Sequence, residues 1–449
     1  MGYNFSKVTC GNRVDFFLEG EKYYNYYHSL IENAKSSIHL QTYIFELDIF
    51  GLRIHEALLR AGRRGVHVYV LIDSVGSAKF TSQDEYKLIE AGVHFQRFNG
   101  IAYRWLYQWG RRLHHKILLV DYQTAIVGGI NVTTSGYGHE NVIGQQLDFA
   151  VAIEGPVISE ISHYCQFVFR KASQKKISMG FVAPYFEKNL NEKDCIELKI
   201  SINDWVFRRW QITKQYSDFT RLAKKEITII NSYFFPRRKF MQRLAAASRR
   251  GVKVRLILPR LSDWPTYILA TQFLYSFFIK NGIEIYEWKK SILHGKLATV
   301  DNSISTIGSF NLNYTGYQQN LEMNVDIFNE KFTTELNSSI DEIIAIGCER
   351  IDAATFAHKS TLKIKFLRLF YYVLLAMVAN FSVSLTYQEE NGRHNKNKYY
   401  NLARIMGSLF FLILGIVGAI LPQFPGWPFF IISFLLVYRQ LLFNSKINV

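Results

Sequence analysis

Two segments of the 449-residue chain place histidine, lysine, aspartate and asparagine at matching positions. They read HHKILLVDYQTAIVGGIN from His114 and HGKLATVDNSISTIGSFN from His294. Both follow the spacing HxKxxxxD, then six residues, then G-G/S-x-N. Imidazole titrates near neutral pH, so one histidine can attack phosphorus while the other protonates the departing oxygen. A core histidine next to a surface lysine would explain one copy, but not two copies with identical spacing.

This set of side chains suits an anionic phosphodiester. Its transition state spreads negative charge over the non-bridging oxygens, which ammonium and amide groups in a dry site can stabilise. Each segment supplies one histidine, so the two segments have to meet to form the pair. On a strand, residues two apart share a face, which would put each histidine beside its lysine and turn His115 to the opposite side in a structural role. The candidate residues are His114, Lys116, Asp121, Asn131, His294, Lys296, Asp301 and Asn311.

The elements that position these residues also occur twice. In the first half AKSSIHLQTYIFE leads to LRAGRRGVHVYVLID, and in the second AKKEITIINSYFFP leads to AASRRGVKVRLILP. Each half reads as strand, helix, strand, and each RRGV reads as a helix end followed by a turn glycine. The pattern predicts an α/β fold of two pseudo-twofold related lobes, each a mixed sheet flanked by helices.

The boundary between the halves is predicted in the polar stretch 171–195, which lacks clear periodicity. The first lobe is then residues 1–195 and the second lobe residues 196–350. Residues 351–449 form a C-terminal helical region that we expect to associate with a membrane.

The C-terminal region contains two long uncharged runs, 369–388 and 405–438, and PQFPGWP interrupts the second. A hydrophobic core about 30 Å thick needs about 20 helical residues, so the first run could span a bilayer and the second could form a hairpin. Basic residues flank both runs. Cationic loops favour the cytoplasmic side. If the first run crosses fully, one basic cluster must lie outside, whereas all the clusters can stay inside if the run lies in the interface or re-enters. Buried core helices of a soluble domain are the remaining alternative.

Composition and charge limit the classes of partner that the protein is expected to bind. The net charge of +16 favours an anionic partner, either nucleic acid or an anionic membrane. The stretch IAYRWLYQWGRRLHHK before the first segment suits a membrane interface or base stacking, and the apolar stretch 264–282 is either ordinary core or a lipid-facing segment. The two stretches together with the hydrophobic tail favour lipid over nucleic acid. The four cysteines lack CxxC spacing, which argues against a disulfide scaffold or structural zinc. No early apolar run indicates a signal peptide, so we expect a cytoplasmic catalytic part.

Over about residues 5–350 the chain resembles the phospholipase D superfamily, the proteins with paired HKD motifs. Its overall pattern is similar to that of the short bacterial cardiolipin synthases. Besides the two motifs, the resemblance includes FLEGEKYY, LDFAVAIEGP and NSYFFP. One departure is Gly129, where many relatives have serine.

The resemblance implies a role for each matching position. His114 would be the nucleophile that forms a phosphohistidine, and His294 the general acid and then the general base. An acidic residue after each motif would hold the ring of that motif's histidine, which points to Asp148 for the first and Glu322 for the second. The phosphate-binding positions would be Lys116, Lys296, Asn131 and Asn311. Asp121 and Asp301 belong to the motif, either as catalytic residues or as backbone-binding ones.

The activity that the resemblance implies is cardiolipin synthesis without a metal or other cofactor. A phosphatidyl group would pass to a hydroxyl of phosphatidylglycerol, giving cardiolipin and glycerol. The expected partners are anionic phospholipids, phosphatidylglycerol and cardiolipin, at the bacterial inner membrane with the catalytic part facing the cytoplasm, and no nucleic acid. The alternatives are a phospholipase D hydrolase releasing phosphatidic acid, a synthase with another donor or alcohol, and an HKD-type nuclease.

Overall fold

The computed structural model describes most of the first 387 residues and a few further on. The described residues are 7–99, 111–134, 146–173, 195–204, 207, 209–358, 360–387, 407–409, 411, 412, 415, 433 and 434. The aromatic stretch 101–110, the insert 136–144 with His139, most of the predicted linker and most of the second apolar run lie outside them. The chain divides into two compact units, residues 1–365 and 366–449.

The first lobe is built on one mixed sheet. In order across the sheet its strands are β1 (Thr9–Leu18), β8 (Phe149–Glu154), β7 (Thr124–Gly128), β6 (Lys116–Val120), β2 (Ser37–Thr42), β3 (His67–Asp73) and β4 (His94–Phe98). Strands β2, β3 and β4 are parallel, and the other pairs are antiparallel. The parallel strands alternate with helices, as the sequence pattern predicts.

The second lobe repeats this order. Its strands are β9 (Ile196–Asp204), β16 (Asn320–Phe328), β15 (Ile304–Gly308), β14 (Lys296–Val300), β11 (Glu226–Asn231), β12 (Lys253–Pro259), β13 (Glu284–Trp288) and β17 (Cys348–Ile351). Strands β11, β12 and β13 are parallel, and β17 adds an antiparallel edge. A short strand, β10 (Arg209–Trp210), pairs with β9. The prediction of two repeated α/β lobes is therefore confirmed.

Helices connect the strands. They are α1 (Glu21–Glu32), α2 (Ile49–Arg63), α3 (Ser82–Glu90), α4 (Ile158–Ala172), α5 (Gln211–Leu222), α6 (Arg238–Arg249), α7 (Pro265–Phe273), α8 (Tyr275–Lys280), α9 (Tyr314–Gln318), α10 (Glu330–Gly347), α11 (Ala353–His358) and α12 (Leu362–Tyr387). The two RRGV sequences end α2 and α6 as predicted. Gly65 and Gly251 follow with φ of 85° and 91°, a left-handed conformation that glycine adopts without a Cβ penalty.

The two lobes share a hydrophobic core. Ile117 and Phe149 of the first sheet belong to the same buried cluster as Leu297 and Met323 of the second. A short strand, β5 (Arg112–Leu113), leaves the first lobe and pairs in parallel with β16 of the second. Burial of apolar surface thus holds the sheets together at the place where both motifs begin.

The second compact unit contains most of α12, so the first apolar run is helical as far as Tyr387. Met377 packs with Leu412, and the hydroxyls of Ser408 and Ser433 are 3.1 Å apart. Within the described part of the chain, no helix combines the length and the apolar character needed to cross a membrane. Membrane association of this region therefore stays a prediction.

Candidate active site

The two motif histidines lie where the lobes exchange backbone hydrogen bonds. His114 lies between β5 and β6, and its backbone N–H donates to the carbonyl of Leu321 at 3.0 Å. His294 precedes β14, and its N–H donates to the carbonyl of Leu147 at the same distance. The expectation that the histidines are strand residues is wrong. Each lies just before a strand, at a point where the backbone bonds to the opposite lobe.

Each imidazole contacts a buried carboxylate from the other motif. Nδ1 of His114 lies 2.9 and 3.0 Å from the two carboxylate oxygens of Glu322. Nδ1 of His294 lies 2.6 Å from Oδ2 of Asp148. The expectation that each acid holds its own motif's histidine is therefore wrong. Residues 147 and 293 pair across the lobes, as do Leu113 and Leu321, so each acid comes next to the opposite histidine.

The crossed carboxylates fix which ring nitrogen is available for chemistry. A carboxylate at Nδ1 favours the tautomer with the proton on that nitrogen, because an ionised carboxylate only accepts hydrogen bonds. Nε2 of each ring is then left with its lone pair. Two such rings can supply a nucleophile and, once protonated, an acid.

The two motif lysines are buried beside the histidines. Nζ of Lys116 donates to the carbonyl oxygen of His114 at 2.6 Å, and Nζ of Lys296 donates to the carbonyl of His294. Burial, followed by the charge of Lys296, lowers the pKa of Lys116 to about 7. Burial lowers the pKa of Lys296 to about 8. An anion bound between the lysines would favour the charged form of each and so oppose the lowering of their pKa values. The pair is therefore suited to hold a phosphate.

Burial also keeps the imidazoles neutral. It lowers the pKa of His114 to about 4, with Lys116 acting in the same direction and Glu322 opposing it. Burial and Lys296 lower the pKa of His294. For Asp148, burial would raise the pKa, but Lys296 and His294 outweigh it and hold the pKa below its usual value. The resting site therefore contains neutral rings beside a charged carboxylate.

The motif asparagines have one end of their amide held in place. Oδ1 of Asn131 accepts a hydrogen bond from the backbone N–H of Ile44 at 3.2 Å. Oδ1 of Asn311 accepts one from the hydroxyl of Ser232 at 2.9 Å. Within the described ranges neither Nδ2 group has a hydrogen-bond partner, so both remain available as donors to phosphate oxygens.

The motif aspartates lie away from this site. Asp121 follows the far end of β6, where its carboxylate accepts hydrogen bonds from the backbone N–H groups of residues 35–37. Asp301 follows β14 and accepts them from residues 224–226 in the same way. Their assignment as catalytic residues is therefore corrected. Each motif lysine begins a five-residue strand and its aspartate follows the end of that strand, where it fixes the start of a neighbouring strand.

His115 faces away from the site, as the sequence predicts. It is buried, its Nε2 lies 2.8 Å from the amide oxygen of Gln41, and its ring packs against Tyr164. These contacts belong to the packing between the sheet and α4.

Gly129 and Ser309 hold equivalent positions with different surroundings. A Cβ at Gly129 would collide with the carboxylate of Asp148. Ser309 instead donates its hydroxyl to Glu322. In the first lobe the Asp148 carboxylate therefore occupies the space that a side chain at position 129 would need. In the second lobe the serine side chain has room and hydrogen-bonds the carboxylate of Glu322 instead.

Sequence reasoning missed several residues beside the site. The ring centroid of Tyr43 lies 5.0 Å from that of His114, and the centroid of Tyr233 lies 6.3 Å from that of His294. Glu19 accepts a hydrogen bond from Tyr24 at 2.7 Å, and burial, then Asp148, raises its pKa to about 8. These residues belong to the segments YIF, SYFF and FLEGEKYY, but nothing in the sequence of those segments indicates that their side chains reach the site.

Comparison with known proteins identifies the family. A family model described as "Cardiolipin synthase, PLD-like domain" matches residues 27–171 and 218–344. Cardiolipin synthase B of Escherichia coli strain K12 is 31% identical over 373 residues, covering 80% of this chain and 89% of the relative. Cardiolipin synthase 1 of Staphylococcus epidermidis RP62A is 29% identical over 346 residues, covering 75% and 69%.

Two solved structures share the fold. Phosphatidylserine synthase of Haemophilus influenzae Rd KW20 aligns with a TM-score of 0.58 at 15% identity, covering 83% of this chain and 93% of that one. Polyphosphate kinase of Porphyromonas gingivalis aligns with a TM-score of 0.51 at 14% identity, covering 82% and 53%. The family match, the 31% identity and the paired motifs agree, and the chain belongs to the cardiolipin synthase family of phospholipase D-like proteins.

Proposed function

We infer that the protein is a cardiolipin synthase that moves a phosphatidyl group from one phosphatidylglycerol to a hydroxyl of a second, releasing glycerol. One observation supports this most strongly. Two imidazoles, each bonded through Nδ1 to a buried carboxylate of the opposite lobe, lie with two buried lysines in a chain of this family. Phosphatidylethanolamine is the alternative donor.

The first step makes a phosphohistidine. Nε2 of His114 attacks phosphorus, a P–N bond forms, and the bond from phosphorus to the headgroup oxygen breaks. The bound phosphodiester is anionic and favours the imidazolium form of His294, so this ring takes up a proton at Nε2 when the donor lipid binds. That Nε2–H then gives its proton to the departing oxygen, so neutral glycerol leaves. Lys116 and Lys296 would offset the charge that develops on the non-bridging oxygens, together with the amide N–H groups of Asn131 and Asn311.

The second step reverses the proton movement. His294, now neutral, takes the proton from a hydroxyl of the incoming phosphatidylglycerol. The resulting oxygen attacks phosphorus, the P–N bond breaks, and cardiolipin leaves. The two histidines return to their starting protonation states.

An asymmetry between the carboxylates supports this division of roles. Glu322, beside His114, also accepts hydrogen bonds from Ser309 and from the Asn320 amide at 3.0 Å. Asp148, beside His294, accepts only one further bond, from the backbone N–H of Phe149, among the described residues. Fewer hydrogen bonds leave more negative charge next to His294, which favours its imidazolium form. His294 is then the better proton carrier and His114 the better nucleophile.

The same site could transfer to water or to a lipid alcohol. Transfer requires a site that excludes bulk water and presents the alcohol at high local concentration. We propose that the C-terminal region holds the enzyme at the inner face of the bacterial cell membrane, where phosphatidylglycerol is concentrated. Deleting residues 366–449 should then reduce membrane partition more than the turnover of a detergent-solubilised lipid.

Incubation of the purified protein with labelled phosphatidylglycerol tests the function. We expect cardiolipin and glycerol, with His114→Ala and His294→Ala inactive but folded by circular dichroism. His67→Ala, an exposed histidine on β3, is the matched control and should retain activity. Phosphatidic acid as the main product would indicate a hydrolase. Cleavage of single-stranded DNA without any lipid product would indicate a nuclease.

A further inference from the structure

The segment after β12 exposes apolar side chains at the edge of the site. Trp264 is 57% exposed, Leu261 is 41% exposed and Phe273 is 38% exposed. Within α7, Pro265, Leu269 and Phe273 follow each other at i, i+4 spacing and so lie on one side of the helix. Soluble surfaces seldom group large apolar residues this way without a partner.

This segment is connected to the catalytic histidine of the second lobe. Asp263, the one charged residue in 261–279, accepts a hydrogen bond from the Tyr233 hydroxyl at 2.6 Å. The Tyr233 ring packs edge-on against His294. The amide of Asn313, two residues beyond the motif asparagine Asn311, contacts the Tyr267 hydroxyl at 3.4 Å. Residues 261–273 therefore form a wall next to the reacting groups.

Cations lie beside the apolar residues. Arg237, Arg238 and Lys239 stand at the start of α6, where the partial positive charge of the helix end disfavours further cations unless an anion approaches. Among the described residues none of the three forms a salt bridge. The Arg237 guanidinium lies 5.7 Å from the ring centroid of Tyr314, and Phe235 contacts both Tyr314 and Tyr267 of α7. Arg237 and Tyr267 of α7 thus lie beside the same aromatic cluster, and Arg238 and Lys239 follow Arg237 at exposed positions.

The first lobe has exposed apolar residues at the equivalent helix start. Ile49 is 85% exposed and Leu52 is 46% exposed, both in the first turn of α2. Asp48, the N-cap of α2, accepts a hydrogen bond from Thr133, two residues beyond the motif asparagine Asn131. Apolar side chains therefore border the site from both lobes.

We propose that residues 261–273 and the start of α2 form a docking surface that inserts into the interfacial region of an anionic bilayer, with Arg237, Arg238 and Lys239 against lipid phosphates. The proposal rests on the proposed lipid substrate. Aromatic and aliphatic groups enter the interface while the cations meet anionic headgroups, which is the combination that interfacial surfaces use. Docking would place the mouth of the site against the membrane, so a lipid headgroup could reach the histidines without leaving the bilayer.

Fluorescence of the full-length protein on vesicles tests where Trp264 lies. The vesicles contain phosphatidylglycerol and phosphatidylcholine with brominated acyl chains, which quench nearby indoles. We expect strong quenching, of which Trp264→Phe removes a distinct part. Trp210→Phe is the matched control, because Trp210 is 46% exposed and outside this surface. Arg238→Gln with Lys239→Gln should reduce the preference for anionic over purely phosphatidylcholine vesicles.

Kinetics provides an independent readout. With Leu261→Ser and Phe273→Ser combined, turnover of vesicle phosphatidylglycerol should fall about tenfold, since the apolar burial of two side chains is lost. Turnover of a short-chain phosphatidylglycerol below its micelle concentration should not change. Leu222→Ser with Ile346→Ser, at 54% and 52% exposure, is the matched control and should leave both rates unchanged.

Three outcomes would overturn the docking surface. Unquenched Trp264 would place it outside the bilayer. An equal loss on vesicles and on short-chain lipid would assign the segment to the internal packing of the site. A change in oligomeric state in the serine variant would identify a contact with a second copy. Quenching needs no turnover, so absence of cardiolipin with intact quenching would refute the proposed function and leave the docking surface standing.

Discussion

At the scale of single residues, the site depends on differences between two nearly equivalent halves. His114 and His294 have the same neighbours by type, a lysine and a carboxylate, but the carboxylates differ in length and in their hydrogen bonds. These differences can separate nucleophile from acid in a site whose halves share one origin.

The order of the two histidines can be tested with a donor whose leaving group is p-nitrophenol. This leaving group needs little protonation, so His294→Ala should still release one equivalent of p-nitrophenol in a rapid burst, while His114→Ala should release none. Stopped-flow absorbance measures the burst. A burst from His114→Ala and none from His294→Ala would reverse the assignment.

Gly129→Ser should impair catalysis by displacing Asp148 from His294. The new Cβ would collide with the Asp148 carboxylate. Displacement of a catalytic group by about 1 Å can cost about 100-fold in rate, so we expect a kcat loss of that order. Ser309→Gly is the matched control, and it should lose about tenfold because it removes one hydrogen bond to a charged group without a collision. Equal kcat values for Gly129→Ser and wild type would refute the steric match.

Sulfate binding should weaken as pH rises. The free Lys116 has a pKa of about 7, and a bound anion favours its charged form. Above that pH, binding has to take up a proton, so affinity should fall by up to about tenfold per pH unit. Sulfate does not titrate in this range, and calorimetry in buffers of different ionisation enthalpy would measure the proton uptake. Lys116→Met should flatten this dependence between about pH 7 and pH 8, below the range in which Lys296, with a pKa of about 8, loses its charge. Proton release on binding would contradict the account.

At the scale of elements, short hairpins fix the relative positions of strands. Asp121 and Asp301 have φ of 53° and 52°, and each ties a β-turn to the residues that start the adjacent strand, β2 or β11. Those strands lead to the loops that hold Asn131 and Asn311. The aspartates therefore affect the site through the sheet, from the opposite ends of β6 and β14 to the motif lysines.

Asp121→Asn should lower stability while sparing the chemistry of the folded enzyme. Loss of a charged acceptor for three backbone N–H groups should cost about 1–3 kcal/mol in the free energy of unfolding. Burial by itself would raise the pKa of Asp121, but the backbone hydrogen bonds outweigh it and hold the pKa below its usual value. The stabilisation is present above the unfolded pKa and disappears as pH falls through the folded pKa. Urea unfolding should therefore show the largest difference near neutral pH, and an equal difference in acid would refute this cause.

At the scale of the whole molecule, the lobes are joined by polar and apolar contacts close to the first motif. Arg111 of the first lobe donates to both carboxylate oxygens of Asp204 in the second, at 3.0 and 2.8 Å, and both side chains are buried. Arg111 lies just before β5, the strand that crosses to the second lobe.

Asp204→Ala should therefore affect stability and activity together. Removing one partner leaves a buried unpaired charge, which costs about 3–5 kcal/mol. Thermal unfolding and kcat should both decrease, because the displaced β5 carries His114 on its far side. Glu32→Ala, which breaks the half-exposed pair with Arg60, is the control and should cost about 1 kcal/mol or less. If kcat were unchanged in Asp204→Ala, the ion pair would stabilise the fold without aligning the site.

Much of this organisation was predictable from the chain itself. The strands around IHLQTYIF and ITIINSYFF, the helix ends at RRGV and the pairing of two lobes follow from local periodicity and from repetition. The choice of candidate histidines, lysines and asparagines follows from the duplicated spacing. These features are local in sequence, so side-chain periodicity and turn chemistry specify them.

Only the tertiary structure decided which acid serves which histidine. The crossed pairs His114–Glu322 and His294–Asp148 arise because β5 pairs with β16 and residue 147 pairs with residue 293, contacts between positions far apart in the chain. The places of Glu19, Tyr233 and Asp263 have the same cause. No local pattern encodes such contacts, since they form when two sheets bury a common apolar face and the strand ends at its edge exchange hydrogen bonds.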